Sequence, residues 1–303
     1  MKCFDISLLN ELAKNPEELI GASESSYEGQ IAYAAEQIYE QREERPVVLV
    51  SGPSGSGKTT SAVRMQQLLE RMGADTHTIS MDNYFLPMCE NEAARDENGN
   101  IDFESPYRLN IPLFREHIEK LSRCEEIEVP LFDFAKQVSL HGMPLKRKKG
   151  DLVILEGIHA LNPLVTGDSE SYTNCVYVSV RTRLEHEGSL LHPSKIRLMR
   201  RLLRDKQYRG RAFSETFEFF RSVERGENLY IMPFKQRANF DIDTFIGYEP
   251  LVYRDILLPD LEKTAEVYGD YADYKDIEEF LRLLAPLDES LVPKNSLIRE
   301  FIG

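Results

Sequence analysis

The 303-residue chain carries 37 Lys and Arg residues against 51 Asp and Glu residues, so its formal net charge at pH 7 is −14. An acidic balance argues against a dedicated nucleic-acid-binding protein, because such proteins neutralise phosphates with a basic excess. The charge is uneven, however. Residues 195–211, the basic island, hold eight basic residues and one acid, which gives +7 there and −21 elsewhere. The island predicts a local anionic partner.

Hydrophobic residues make up 42% of the chain and charged residues 29%, values typical of a globular enzyme with one large α/β domain or two smaller ones. No apolar run approaches the ~18 residues of a membrane-spanning helix, and residues 1–10 lack the pattern of a signal peptide. We therefore expect a cytoplasmic protein without a membrane partner. The widely spaced cysteines are expected to be reduced thiols; they are Cys3, Cys89, Cys124 and Cys175.

Apolar residues at helical spacing mark residues 1–45 as a helical lead-in. Short apolar runs, separated by helical patterns, then predict about five strands at residues 47–51, 76–80, 152–155, 175–180 and 239–246. This alternation predicts an α/β fold with a parallel sheet and helices on both faces. Two stretches interrupt it: residues 82–110 are typical of a functional loop, and residues 126–145 of a β-hairpin insertion. Residues 248–303 are predicted to form a helical C-terminal extension.

A phosphate-binding loop is predicted at Gly52-Pro-Ser-Gly-Ser-Gly57-Lys58-Thr59, which matches G-x-x-x-x-G-K-[ST] between a strand and a helix. In such a loop backbone N–H groups point at phosphate oxygens, the lysine reaches the terminal phosphates and the threonine hydroxyl ligates Mg²⁺. The guanine-reading segment Asn-Lys-x-Asp is absent from the sequence. The candidate nucleotide-binding residues of the loop are Gly52, Ser54, Gly55, Ser56, Gly57, Lys58, Thr59 and Thr60.

Carboxylates follow two of the predicted strands, at the sheet edge where ligands of such folds bind. Asp82, which comes after the second strand together with Tyr84 and Phe85, can accept the proton of an attacking hydroxyl. Alternatively, it caps the following turn. Glu156 ends the strand Leu152-Val-Ile-Leu-Glu and is placed to support Mg²⁺ opposite the loop. His159 is interpreted as a structural residue.

The basic island has the spacing of one helix with two faces. The apolar face consists of Ile196, Met199 and Leu203, and the arginine face of Arg197, Arg201 and Arg204. A charge run is usually a solvated face. Seven net positive charges repel one another, however, so a neutralising anion is favoured here, and arginines at a phosphoryl-transfer site stabilise the moving group.

With these motifs in order, residues 46–247 resemble the uridine kinase and phosphoribulokinase family of P-loop kinases. The resemblance is carried by Ser80-Met-Asp82, Asn100-Ile-Asp102-Phe103, Pro130-Leu-Phe-Asp-Phe134, Leu155-Glu-Gly-Ile158, and Arg200-Arg201-Leu-Leu-Arg204-Asp205 running to Arg209-Gly-Arg211. A bacterial uridine kinase-like branch is more similar still, through segments at 102–105, 156–159 and 204–210 and the ending at 293–303. Members of that branch often carry an N-terminal part resembling regions of threonyl-tRNA synthetase, which has no counterpart in this sequence.

The resemblance implies a kinase domain at residues 46–247 that uses ATP and Mg²⁺ to phosphorylate a sugar hydroxyl, typically the 5′-OH of a nucleoside. It implies a lid at about residues 194–211 that closes over the phosphates. The implied catalytic residues are Asp82 as base, Lys58, Arg201 and Arg204; Thr59 and Glu156 are implied to place the metal, and Arg204 and Arg209 to contact the nucleotide. The implied substrate-binding residues are Asp82, Tyr84, Phe85, Asp102, Phe132, Gln137, Arg201 and Arg211.

Pyrimidine nucleoside kinases of this family carry Tyr and His where this chain has Phe132 and Gln137, and Arg where it has Ser139. The hydrogen-bonding code of the base pocket therefore differs. Three alternatives to a nucleoside kinase remain open: a kinase for another hydroxylated metabolite such as a sugar phosphate, a nucleotide-dependent switch without transfer, and RNA binding by the arginine helix. The main interpretation implies no nucleic-acid partner and is compatible with a homo-oligomer.

Overall fold

The computed structural model describes residues 2–87, 94–269 and 271–303. The prediction for Cys89 falls outside these ranges; Cys3, Cys124 and Cys175 are free thiols. The strands, in chain order, are β1 (Cys3–Asp5), β2 (Val47–Ser51), β3 (Thr76–Ser80), β4 (Ile127–Asp133), β5 (Val138–Leu145), β6 (Leu152–Glu156), β7 (Thr173–Ser179), β8 (Arg183–His186), β9 (Ser189–Leu191) and β10 (Phe240–Asp243).

Helices make up the rest of the regular structure. The α-helices are α1 (Ile6–Leu12), α2 (Pro16–Glu40), α3 (Lys58–Arg71), α4 (Ile111–Ser122), α5 (Pro163–Thr166), α6 (Pro193–Arg209), α7 (Phe213–Tyr230), α8 (Glu249–Tyr268), α9 (Ala272–Leu283) and α10 (Arg299–Ile302). Short 3₁₀ helices lie at Met81–Tyr84, Pro106–Arg108, Met232–Arg237 and Glu289–Leu291.

A five-stranded parallel sheet forms the centre of the fold, with the strand order β10-β7-β2-β6-β3. Every residue of β2, β6 and β7 is buried. This fits their continuous apolar sequences, because strands covered by helices on both faces need no polar side. Strand β2 is hydrogen-bonded to β6 on one side and β7 on the other, so the loop that follows it opens into the crevice at the sheet's carboxyl edge. The predicted α/β P-loop fold is confirmed.

Side chains of the sheet alternate between two apolar cores, one on each face. The larger core joins Val48 of the sheet to Ile31 of α2, Tyr253 of α8 and Phe301 of α10. It therefore runs across both boundaries that we predicted in the sequence, after residues 45 and 247. The division into a lead-in, a kinase domain and an extension stays a prediction, and the segments it separates pack on one another.

The predicted hairpin insertion consists of β4 and β5, which form their own antiparallel two-stranded sheet. Its register pairs Ile127 with Leu145 at the base and Asp133 with Val138 next to the turn. Strand β4 packs beside the 3₁₀ helix at Met81–Tyr84, whereas most of β5 is exposed. A second small sheet, β1-β8-β9, was not predicted, because strands of three or four residues are too short to show a periodicity.

Most of the basic island lies on helix α6, which is capped by Gly210 in the left-handed conformation with a φ of 60°. As the periodicity predicts, Ile196, Met199 and Leu203 are buried against the larger core. Within the described ranges, no helix combines the length and the apolar character needed to cross a membrane.

Candidate active site

The predicted phosphate-binding loop connects β2 to α3, and its shape depends on glycine. A Cβ atom at Gly52 would lie 1.9 Å from the Val178 carbonyl oxygen, so no larger residue fits there. Gly57 precedes α3 with a φ of +80°, and no side chain caps the helix. The first-turn N–H groups of α3 are therefore available to an anion. The buried Ser56 Oγ has no hydrogen-bond partner in the described chain, as expected of a loop shaped around a ligand.

Lys58 begins α3 and lies between the loop and two acids. Its Nζ donates a hydrogen bond of 3.1 Å to the Pro53 carbonyl. Removal from water lowers the pKa of Lys58, and the nearby Glu156 and Asp82 carboxylates oppose that shift. The ammonium group thus lies between the phosphate-binding loop and the two carboxylates.

Asp82 and Glu156 come together because β3 and β6 are neighbours: Ser80 pairs in register with Glu156. Asp82 keeps part of its surface exposed. Partial removal of its carboxyl from water, together with the Glu156 charge, raises the pKa of Asp82 to about 6. The alternative of a turn cap does not apply to Asp82, because the Ser80 Oγ accepts from the Asp82 N–H at 3.3 Å and caps the 3₁₀ helix itself. The Asp82 carboxylate is left facing the cleft.

The residues predicted to place Mg²⁺ also lie together. Thr59 Oγ1 donates to Glu156 Oε2 at 3.5 Å. No cluster of three metal-ligating His, Cys, Asp or Glu side chains occurs in the part of the chain that the structure describes. One hydroxyl and one carboxylate suit Mg²⁺, which usually takes few protein ligands and completes its shell with water and substrate phosphates.

The basic island is largely neutralised within the protein by acids far away in the sequence. Four of its eight basic residues each have an acidic partner of their own: Lys195 with Asp273, Arg197 with Glu227, Arg200 with Glu249, and Lys206 with Asp260. These pairs account for half of the island without any ligand. The prediction that the whole island awaits an external anion is therefore too broad.

The other four arginines share one buried carboxylate, Asp205. Its oxygens lie 3.0 Å from Arg209, 3.4 Å from Arg201, and 3.8 Å from both Arg204 and Arg211. Four guanidinium groups and one carboxylate have a net charge of +3. We call Arg201, Arg204, Arg209 and Arg211 the arginine cluster.

The arginine cluster faces the phosphate-binding loop. Arg201 Nη1 donates to Ser54 Oγ at 3.2 Å. The buried Nε atoms of Arg201 and Arg204 have no hydrogen-bond partner among the described residues. Unsatisfied donors and surplus positive charge beside a loop with free amides fit the phosphates of a nucleotide.

Asp102, predicted to hold ribose hydroxyls, is buried and already has strong partners. Its Oδ2 accepts from Arg225 and from the Tyr230 hydroxyl, both at 2.9 Å, and its Oδ1 accepts from the Glu104 N–H at 3.1 Å. Arg225 and Tyr230 lie on α7, a helix without a recognisable motif. The structure therefore gives Asp102 protein partners where the resemblance implied a substrate.

Glu104, two residues later, is the carboxylate that faces the cleft. Burial raises its pKa to about 7, while the positive charges of Arg201 and Lys58 act in the opposite direction. Glu104 lies in the same Asp102–Ser105 segment that carries the resemblance, so the segment places two acids near the cleft and the resemblance names only one of them.

An aromatic cluster lines the cleft next to the hairpin. Phe85 lies with its ring centroid 5.9 Å from that of Phe132 and 5.8 Å from that of Phe134. The Arg108 guanidinium lies 5.3 Å from the Phe85 ring and 5.1 Å from the Phe103 ring. Phe85 and Phe132, both implied by the resemblance to bind the substrate, therefore belong to one aromatic cluster.

Two predicted substrate contacts point elsewhere. Tyr84 is 1% exposed, packs edge-on against Phe114 and shares a hydrogen bond of 2.9 Å with His117 Nδ1, so it belongs to the core. Gln137 occupies the hairpin turn with a φ of 56°, and its amide donates to the Phe134 carbonyl. Tyr84 is therefore a core residue, and the Gln137 amide has a partner within the hairpin. The interpretation of His159 as a structural residue fits its burial, which lowers its pKa to about 4.

Comparison with known proteins identifies the family to which this chain is similar. Residues 47–246 match the family described as Phosphoribulokinase / Uridine kinase family. The uridine kinase of Geobacillus kaustophilus (strain HTA426) is 27% identical over 224 residues, which are 73% of this chain and 96% of that protein. The uridine kinase of Geobacillus sp. (strain WCH70) is 30% identical over 200 residues, covering 65% and 86% of the two chains.

Solved structures share the fold at low identity. A kinase assigned to a fructose transport system in Silicibacter sp. TM1040 aligns with a TM-score of 0.51 at 17% identity, over 66% of this chain and 95% of that one. D-glycerate 3-kinase from Cryptococcus neoformans aligns with a TM-score of 0.50 at 14% identity, over 67% and 88%. These similarities concern the fold alone.

Proposed function

The chain belongs to the phosphoribulokinase and uridine kinase family, and we propose that it transfers the γ-phosphoryl group of ATP to a hydroxyl group of a small molecule. One observation carries the proposal: a carboxylate of raised pKa, Asp82, lies beside Lys58 at the mouth of the phosphate-binding loop. A protein that only binds nucleotide needs no proton acceptor there.

The proposed transfer needs a base and positive charge. Asp82 takes the proton of the acceptor hydroxyl while the oxygen of that hydroxyl bonds to the γ-phosphorus. The bond between the γ-phosphorus and the β,γ-bridging oxygen breaks, and ADP leaves. A pKa of about 6 suits this role, because the carboxylate is ionised at neutral pH and is still basic enough to accept a proton. Lys58, Arg201 and Arg204 stabilise the negative charge of the moving group.

Thr59 and Glu156 are the residues that would hold Mg²⁺. When bound, the ion supplies positive charge that offsets the charge of the phosphates. The 3.5 Å contact between the two side chains supports a shared role, because a single ligand placed between them can reach both.

A nucleoside is the first candidate for the acceptor, since the curated relatives above are uridine kinases. The rings of Phe85 and Phe132 offer a wall on which a base can stack. We assign the binding of sugar hydroxyls to Glu104 rather than Asp102, because Asp102 already accepts hydrogen bonds from Arg225 and Tyr230. The Glu104 carboxylate can accept hydrogen bonds from two adjacent hydroxyls.

One observation favours a second candidate, an acceptor with a phosphate or carboxylate group. Arg108 is 4% exposed, has no acidic partner in the described chain, and its Nε lacks any hydrogen bond there. A buried charge without a partner is costly, and the rings of Phe85 and Phe103 offset that cost only in part. An anionic acceptor would supply the missing partner.

An acceptor panel tests the function and separates the two candidates. ADP release is measured with uridine, cytidine and adenosine, and with matched neutral and anionic pairs: ribose and ribose 5-phosphate, glycerol and glycerate. Turnover with neutral nucleosides supports the first candidate. Turnover restricted to the anionic members, lost in Arg108→Gln and kept in the exposed control Arg71→Gln, supports the second. If no acceptor stimulates ADP release above basal hydrolysis, the proposed transfer is wrong, and a nucleotide-dependent switch without transfer activity is favoured instead.

A further inference from the structure

The C-terminal segment, residues 293–303, packs directly against the phosphate-binding loop and the first turns of α3. Glu300 Oε2 accepts a hydrogen bond of 2.5 Å from the Thr60 hydroxyl. A Cβ atom on Gly57 would lie 2.8 Å from the Leu297 Cδ1, so the leucine covers the glycine that leads into the helix. One turn further along α3, Arg64 donates to the Asn295 carbonyl. This segment lies beyond residue 246, where the family match ends.

The segment is anchored in the core by its apolar side chains. Leu297, Ile298 and Phe301 have no exposed surface and belong to the larger core. The Arg299 guanidinium donates to the carbonyls of Glu289 and Val292 and so fastens the segment to the turn that precedes it. The segment therefore keeps one position beside the loop in the folded protein.

The segment also contacts α6, the helix of the basic island. The Phe301 ring lies 5.1 Å from the Arg200 guanidinium of α6. The position of the Glu300 backbone is therefore set on both sides, by α3 and by α6.

The segment that carries Glu300 and the residue next to Asp82 pack on opposite faces of the sheet. Leu297 and Phe301 pack in the core on one face of the sheet, whereas Met81, next to Asp82, packs in the core on the other face. The γ-phosphate of ATP must face Asp82 for transfer. The nucleoside half of ATP must then leave the loop on the opposite side, past Thr60 and Glu300.

The chemistry of a carboxylate defines what Glu300 can bind there. It accepts hydrogen bonds and donates none when ionised, so it repels phosphate and suits hydroxyl or amino donors. ATP offers such donors only in its nucleoside half, on the ribose and on the exocyclic amine of the base. Glu300 Oε2 is engaged by Thr60, and no residue of the described ranges donates to Oε1.

We propose that the C-terminal segment forms the nucleoside end of the ATP site, and that Glu300, held by Thr60, is a specificity-determining residue that accepts a hydrogen bond from the ribose or the exocyclic amine. The inference rests on the proposed function only in that ATP is the nucleotide bound. It assigns a binding role to residues outside the family match and explains why an acid lies beside a phosphate-binding loop.

Equilibrium binding by calorimetry tests the proposal without any acceptor. The proteins are the wild type, Glu300→Gln and, as control, Glu266→Gln, which changes an exposed glutamate of α8. The probes, each with Mg²⁺, are ATP, inorganic tripolyphosphate, 2′-deoxy-ATP, 3′-deoxy-ATP and inosine triphosphate. E300Q is expected to weaken ATP binding roughly tenfold to a hundredfold and to leave tripolyphosphate binding no weaker than in the wild type. E266Q is expected to change neither.

The analogues identify the donor. The analogue that lacks the donor should bind the wild type as weakly as ATP binds E300Q. The affinity of that analogue should not fall further in E300Q. Three outcomes would overturn the proposal. In E300Q, the affinities for ATP and tripolyphosphate could fall equally, or ATP could bind more tightly; in the wild type, all three analogues could lose affinity equally relative to ATP. Glu300→Asp, which keeps the charge but shortens the reach, is measured beside E300Q and should give the same ordering if E300Q lowers the Tm. A wild type that binds tripolyphosphate but not ATP would overturn this inference together with the proposed function.

Discussion

Arg200 and Glu249 form a fully buried ion pair that ties α6 to α8: Nε lies 2.8 Å from Oε2, and Nη2 lies 2.9 Å from Oε1. Arg200 also donates to the Gly55 carbonyl at 3.2 Å. The Glu249 carboxylate raises the pKa of Arg200 against the effect of burial. The same guanidinium therefore links the phosphate-binding loop to α6 and α8.

Removal of one partner from this pair should destabilise the fold. Glu249→Gln leaves the Arg200 charge buried without its counter-ion, so we expect the free energy of unfolding to fall by about 3–5 kcal/mol. Urea denaturation measures the change. Glu262→Gln removes an exposed ion pair from the same helix and should have little effect. Equal stability of the two variants would show that the Arg200 pair contributes no more than a surface contact.

Replacement of the proposed base should abolish transfer and spare binding. Asp82→Asn keeps the shape of the side chain but cannot accept the proton, so kcat is expected to fall by roughly 10²–10⁴ while the Kd for ATP changes less than about threefold. The matched control is Asp75→Asn, an exposed aspartate just before the opposite end of β3. Undiminished turnover in D82N would remove Asp82 from the mechanism.

The activity should decline as the pH falls through about 6. The pKa of Asp82 is raised to about 6, so the carboxylate that accepts the proton exists above this pH and is lost below it. We expect kcat to fall about tenfold for each pH unit well below 6. The Tm, recorded over the same range, checks that the protein stays folded. A kcat that is flat down to pH 5 would contradict the assignment.

Glu104 should affect the acceptor more than the nucleotide. Its pKa of about 7 means that the carboxylate to which we assign the sugar hydroxyls is converted to the neutral acid as the pH falls from 8 to 6. The KM for the acceptor should rise over that range, and Glu104→Gln should remove the dependence. The KM for ATP serves as the control and should keep its wild-type profile in E104Q.

Arg201 should matter through its geometry as well as its charge. Arg201→Lys keeps the charge but loses the planar fork that reaches Ser54 and Asp205, so kcat is expected to fall by roughly 10²-fold. Lys206→Gln, in the same helix, removes a surface pair with Asp260 and should leave kcat unchanged. The RNA alternative predicts instead that both substitutions weaken RNA binding and that ATP does not compete with it.

The parts of the site that depend on local sequence could be predicted. The loop from Gly52 to Thr59 and the strand ends at Asp82 and Glu156 are each specified within a few residues, and parallel strands bring their carboxyl ends to one edge. The sequence does not show which way a side chain points after a strand ends. The resemblance therefore implies substrate contacts for Tyr84 and Gln137, whereas Tyr84 lies in the core and Gln137 in a turn.

The pairing of charges could not be predicted, because it depends on contacts distant in the chain. Lys195 meets Asp273 across 78 residues, and Arg225 meets Asp102 across 123. No periodicity within the basic island reveals such partners. A count of charges in a window consequently overestimates the positive charge that is available to a ligand.

The larger apolar core has a consequence for the smallest stable unit of this protein. Ile31, Tyr253 and Phe301 cover the same face of the sheet as Val48, although only Val48 belongs to the family match. A fragment cut at the limits of that match would expose this face to water and would aggregate rather than fold. In a denaturation experiment the whole assembly should melt in one cooperative step, without a separate transition for either flanking segment.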